Sequence, residues 1–230
     1  MRPVLTDEEV AQFRADVCRV AEVLFARHGV EGVTMRQIAA ELGWSSTTAY
    51  RYFKNKEEIL AAVRAAAYNR FCAVIEQAND SSTDPRISAR SVGQAYLDFA
   101  LQNASAYRMM FDISQADETG HAELCQALAR ARRSMVAYVA PLVERGILHG
   151  EPKALGQMLW AAAHGLVMLR LSGIVADDTE LRQLHDMTMS ALVRGTRGAP
   201  VRVNSADKPI PRVPPRKSAR NLFDPTPRKT

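Results

Sequence analysis

The sequence predicts an all-α protein. Apolar residues recur at steps of three and four from Val10 to about residue 195, capping signals stand ahead of these runs, and no segment alternates convincingly enough to be a strand. The first helix follows a capping box of Thr6 and Glu9, carries Val10, Phe13, Val17, Val20, Ala21, Leu24 and Phe25 on one stripe, and stops at Gly29. A second, short helix follows Thr34 and Gln37, carries Ile38, Ala39 and Leu42, and stops at Gly43. Asn55 with Glu58 introduces a longer helix through Ile59, Leu60, Val63, Ala67, Phe71, Val74 and Ile75. The turn-rich NDSSTDP (79–85) ends in Asp84-Pro85, which suits a helix start; a helix to about Asn103 follows, with SAYRMMF as a short one behind it.

A long helix is expected from about Thr119 to Gly146, with Pro141 kinking it or ending it early. Glu151-Pro152 opens an apolar helix over 153–173, and Asp177 or Asp178 caps the last, over 178–195. Residues 196–230 hold seven of the eleven prolines and few large apolar side chains, and read as a disordered basic tail. The expected organisation is therefore a domain over 1–78, a second helical domain over 84–195, and the tail over 196–230.

Composition limits the function. The chain has 230 residues, 47% hydrophobic, enough for a packed core. Its net charge of +5 comes from the tail: nine Lys/Arg against Asp207 and Asp224 give +7 there, and −2 remains for residues 1–195. A nucleic-acid reading therefore needs local geometry rather than overall charge. Cys18, Cys72 and Cys125 are far apart and show no ligand spacing, so neither a disulfide framework nor a metal site is expected. MRPVLTDEEV lacks the apolar core of a signal peptide, and Gln157, His164 and Arg170 interrupt the one apolar run at 155–171, so a cytoplasmic protein without a membrane span is expected. The five histidines are scattered, and neither a phosphate-cradling loop nor an acid/base carboxylate pair is evident, so no enzyme and no cofactor are expected.

Between the second helix and the helix after Asn55 lies GWSSTTAYRYF (43–53), which by itself looks like a strand. Its setting points instead to a helix-turn-helix over about 34–53, with Gly43 in the turn and Ser45 capping two turns over 46–53. On that helix Ala49 and Phe53 share the inner face. Ser46, Thr47, Tyr50 and Arg51 share the outer one, whose donors and acceptors suit base edges and phosphates. The alternative is that Tyr50, Tyr52 and Phe53 are core aromatics of a helical bundle.

The run LFARHGVEGVTMRQIAAELGWSSTTAYRYFKNKEEIL (24–60) resembles the DNA-binding domain of the TetR (tetracycline repressor) family, through Gly29, Thr34, Ile38-Ala39, Gly43, Tyr50, Phe53 and Lys56 in continuous register. The resemblance implies that Thr34 and Arg36 touch backbone and a base edge, that Ser46, Thr47 and Tyr50 lie next to bases, and that Thr48, Arg51, Tyr52 and Lys56 contact phosphates. Lys56 has an added rationale at a helix N-terminus, where phosphate is favoured. Trp44 departs from the small aliphatic residue common in the family, and Ala49 from its usual leucine. Trp44 is accordingly expected either to fill the space that Ala49 leaves or to reshape the packing of the first helix.

The second domain resembles a subgroup of TetR-family C-terminal domains with a Trp-His-Gly signature, here Trp160, His164 and Gly165, together with YRMMF (107–111). Trp160 and His164 share a helix face, and Gly165 would admit a neighbouring helix. Met109, Phe111, Met135, Trp160, His164 and Met168 are candidates for a pocket taking a small hydrophobic effector, the alternative being that His164 and the methionines are core. The family resemblance further implies a homodimer through the helices about 153–173 and 178–195, a palindromic double-stranded DNA operator, and repression relieved by the effector, with activation as the alternative. The basic tail either adds salt-dependent DNA contact or is simply solvated.

Overall fold

The computed structural model describes residues 6–111 and 120–196. The tail and the expected start of the long helix at Thr119 lie outside the described residues. Those residues form ten helices and no strand: α1 (Asp7–His28), α2 (Met35–Glu41), α3 (Ser46–Ala49), α4 (Lys56–Asn79), α5 (Pro85–Gln102), α6 (Ala104–Met110), α7 (Ala122–Ala137), α8 (Ala140–Glu144), α9 (Pro152–Leu171) and α10 (Asp178–Thr196). None of them is long and apolar enough to cross a membrane.

The local signals act where they stand in the sequence. Thr6–Glu9 and Thr34–Gln37 close complete capping boxes, and the side chain of Asn55 accepts from the Glu58 amide at 2.9 Å. Asp84 accepts from the Arg86 amide, and Asp177 from the amides of Thr179 and Glu180. Each cap satisfies amides that the first helical turn leaves without partners.

Two elements differ from expectation. The long helix breaks into α7 and α8 at Tyr138 and Val139. Pro141 has no amide proton and its ring would strike the carbonyl four residues earlier, that of Ala137, which is the last residue of α7. The recognition helix expected over 46–53 is a single α turn, α3, followed by tighter bonds from the Arg51 amide to the Thr48 carbonyl (3.2 Å) and from Tyr52 to Ala49 (3.1 Å). The β-branched and aromatic residues of this segment have low helix propensity, and it is tertiary packing of Ala49 and Phe53 that holds it in place.

Helix α4 carries two cores. Its first turns place Ile59, Leu60 and Val63 with Val17, Phe25, Ile38, Ala49 and Phe53, forming the core of the helix-turn-helix. From Ala65 onward it contributes Tyr68, Phe71 and Ile75 to a larger core with α5, α6, α7 and α9. Phe71 meets Tyr96 and Phe99 edge to face at 5.4 and 5.3 Å, the arrangement that ring quadrupoles favour. Arg130 on α7 forks onto Glu76 of α4, and the Ser134 hydroxyl donates to the same carboxylate at 2.6 Å. The Arg130 hydrogen bond is the main reason that the Glu76 carboxyl sits below the usual range. Any displacement of α7 therefore bears directly on the helix that also packs the helix-turn-helix.

Candidate nucleic-acid interface and regulatory cavity

The turn between α2 and α3 depends on Gly43, whose φ of +69° is a conformation that side chains with a Cβ resist. The Trp44 amide then returns to the Ala39 carbonyl at 2.8 Å, and Ser45 caps α3 through the Thr48 amide. Ala49 and Phe53 are buried, as the periodicity predicts. Thr47, Tyr50 and Arg51 are exposed, Tyr50 by 55%, and Ser46 is half-buried beside them. Tyr50 is thus no core aromatic: a ring that remains in water after folding is available to a partner.

The other predicted contacts are placed unevenly. Arg36 is exposed on α2. Thr34 is exposed too, but its hydroxyl lies 2.8 Å from the Gln37 side-chain carbonyl within the capping box. The Thr48 hydroxyl pairs with that of Ser45 at 3.0 Å. Tyr52 is half-buried, stacked on Phe13 at 5.3 Å, and Trp44 meets Phe13 edge to face at 5.1 Å. Trp44 therefore packs onto the first helix together with Tyr52.

The structure does not leave the Lys56 ammonium free. It donates to the Val30 carbonyl at 2.9 Å, lies 3.5 Å from Glu31, and the side chain is only 20% exposed. It ties α4 to the loop between α1 and α2. Lys56→Ala is expected to lower stability by about 1–2 kcal/mol through that charge-assisted bond, read as a lower urea midpoint at unchanged slope.

Arg14 on α1 carries no motif signal, yet it connects three elements. Its guanidinium donates to the Tyr52 carbonyl at 2.9 Å, pairs with Glu123 of α7 at 3.3 Å, and lies 4.4 Å from the centroid of the Phe53 ring. The end of the recognition segment is thereby fixed from outside the helix-turn-helix.

In the second core, a cavity of about 440 Å³ opens among α5, α7, α9 and α10. Of the six predicted pocket residues, Met135 and Trp160 line it. Phe111 and His164 stand behind that wall, with ring centroids 4.4 Å apart and Phe111 6.1 Å from Trp160. Met109 and Met168 are not brought to the cavity: Met109 is buried in the helix-turn-helix core, at the end of α6 nearest it, and Met168 is 39% exposed on the outer face of α9. Their helical phase alone could not distinguish these fates, because it fixes direction only relative to the helix. Cavity residues that sequence reasoning missed include Tyr96, Tyr138 and His185; the tyrosines carried only an ordinary core signal.

Behind the cavity runs a buried polar chain. The Tyr96 and Tyr107 hydroxyls are 2.6 Å apart, and Tyr107 is 2.7 Å from Nδ1 of His164. Burial pushes both phenols above their ordinary range and His164 below its own. With His164 neutral and its proton on Nε2, Tyr107 donates to Nδ1 and Tyr96 donates to Tyr107, which satisfies both buried hydroxyl protons. His185 is also lowered, first by burial. For a histidine whose folded pKa is depressed, the unfolded chain binds the proton more readily. Its contribution to stability is complete above the unfolded value of 6.5 and is lost as pH falls toward the folded values. The urea midpoint is expected to drop between pH 7.5 and pH 5.5, and His164→Asn should shrink that drop.

A small helix-turn-helix joined to a larger helical domain is an architecture of helix-turn-helix DNA-binding regulators. Two family profiles agree. Residues 18–63 match bacterial regulatory proteins of the tetR family, and residues 89–192 match the tetracyclin repressor-like C-terminal domain. The chain belongs to the TetR family. It is 27% identical over 99 residues to the HTH-type transcriptional activator FasR of Mycolicibacterium smegmatis, covering 43% of this chain and 45% of that one. The chain spans less than half the length of the curated relatives it matches.

The fold is shared with a tetR-family regulatory protein from Rhodococcus RHA1, at TM-score 0.65 and 19% identity over 80% of this chain and 96% of that one. It is shared too with SmeT, the repressor of the Stenotrophomonas maltophilia multidrug efflux pump SmeDEF, at TM-score 0.59 and 23% identity, covering 77% and 89%. These relatives are transcriptional regulators, not enzymes.

Proposed function

We propose that the protein is a cytoplasmic, ligand-responsive transcriptional repressor that binds a palindromic operator as a homodimer and is released by a small hydrophobic effector. The observation that carries this reading is the exposed face of Thr47, Tyr50 and Arg51, with Ser46 beside it, projecting from a segment whose other side is buried. Ser46, Thr47 and Tyr50 would read base edges; Thr34, Arg36, Thr48, Arg51 and Tyr52 would meet backbone, with Arg36 also near a base. Lys56 would act by holding the loop at Val30, with its remaining protons toward phosphate. Residues 1–78 serve as the reading head and 84–195 as the sensing and dimerising body.

Dimerisation is supported by the outer faces of α9 and α10. On α9, Ala161, Gly165, Met168 and Leu169 are exposed, as is Ser172 at its C-terminal cap, and a Cβ on Gly165 would meet nothing within 4 Å. On α10, Met187 is 68% exposed beside Ala191. A stripe of small and apolar residues at helical spacing suits a second copy of the same two helices. The Trp-His-Gly subgroup reading is supported by Trp160 and His164 both meeting Phe111. Control follows by linkage: an effector preferring one spacing of the two heads weakens DNA binding if that spacing misfits, and DNA weakens the effector equally. Fluorescence anisotropy with the DNA upstream of the gene tests the reading. Tight binding that survives excess unrelated DNA is expected; equal affinity for any duplex would contradict it.

A further inference from the structure

The 440 Å³ cavity is walled by apolar side chains such as Leu142, Leu148, Leu159 and Ala163, and its volume lies in the usual range of about 300–1,000 Å³ for ligand pockets. Its polar lining is mixed: Gln94 and Ser190 can donate or accept, while its cationic groups only donate. The Trp160 indole nitrogen is buried; it interacts with the Tyr96 hydroxyl but forms no hydrogen bond of normal geometry. Arg90 on α5 and Arg194 on α10 line the same cavity from exposed positions, and neither forms an ion pair among the described residues. The third charged residue of the lining, Asp186, lies 3.6 Å from Nδ1 of His185. A guanidinium matches a carboxylate through two parallel bonds.

We infer that the cavity takes an amphipathic monoanion, an apolar chain ending in a carboxylate, with the chain against α7 and α9 and the head on Arg90 and Arg194. This rests on the regulatory reading above and sharpens its small hydrophobic effector into an amphipathic anion. A cationic or donor-only ligand of the same size offers neither arginine an acceptor.

Calorimetric titration of the full chain with decanoate, decanol and decyltrimethylammonium holds the apolar body constant and changes only the head. Decanoate is expected to bind about tenfold or more tighter than decanol, and the ammonium weakest. Arg90→Gln with Arg194→Gln removes that advantage while decanol binding stays the same. Both substitutions are on exposed side chains, and circular dichroism checks that the helices are retained. Equal affinity of decanoate and decanol, an undiminished carboxylate preference in the double variant, or no binding of any probe to the folded chain would overturn the inference. DNA anisotropy with and without decanoate separates the two claims: decanoate that binds at the arginines yet leaves DNA affinity unchanged overturns the regulatory reading and keeps the site.

Discussion

Replacing Tyr50 and Arg51 together by alanine is expected to weaken operator binding by about a hundredfold or more. A specific base-edge contact discriminates by about 1–3 kcal/mol, and a lost phosphate contact adds a salt-dependent increment, which together correspond to that factor. Both side chains are exposed, so the change removes contacts without opening the core. The unfolding free energy from urea titration should stay within about 0.5 kcal/mol of the parent, as for most surface substitutions. Anisotropy titration of parent and variant at two salt concentrations reads both parts: the Arg51 change lowers the salt slope, and the Tyr50 change narrows the gap between specific and random DNA. Unchanged specific affinity would remove the recognition face from the account.

Arg14→Ala is expected to have the second large effect, this time on stability. The bond from the guanidinium to the Tyr52 carbonyl is charge-assisted and partly buried, worth about 1.5–3 kcal/mol, and its approach to the Phe53 ring adds about 0.5–1 kcal/mol. The pair with Glu123 contributes little by comparison, because Glu123 is 67% exposed and water screens it. The two effects can be told apart. Glu123→Ala should change the unfolding free energy by less than about 1 kcal/mol, while Arg14→Ala should lower it by roughly 2–3 kcal/mol. Arg14→Ala should also weaken DNA binding, because the Tyr52 carbonyl closes the segment that begins with Ser46. Equal effects of the two substitutions would place the energy in the α1–α7 ion pair instead.

The helix-turn-helix was largely legible because its information is local. Thr6, Thr34 and Asn55 announce helix starts through side chains that bond within three residues, and Gly43 marks a turn that a Cβ would strain. Inner and outer sides of the 46–53 segment followed from which residues were apolar. Its length did not, since two turns were expected and one α turn formed. Arg14 was invisible for the opposite reason: its partners lie 38 and 109 residues away, and no local pattern encodes a strut of that kind.

The cavity was legible only in part. Trp160 and Met135 reach it because α9 and α7 present those faces to α5 and α10, a relation that periodicity cannot supply. Met109 had the same apparent credentials and packs into the other core. The break before Pro141 could be read as a possibility but not placed, since proline specifies a clash with Ala137 and leaves open whether the helix bends or ends.

The central claim is that two recognition segments, one from each copy, read two half-sites on one face of a duplex. Hydroxyl-radical footprinting of the DNA upstream of the gene tests it most directly. The account predicts two protected patches related by a dyad and centred about one or two helical turns apart, at multiples of roughly 34–36 Å, both lost with the Tyr50 and Arg51 double substitution. A single patch, protection without dyad symmetry, or a footprint that survives the substitution would contradict it.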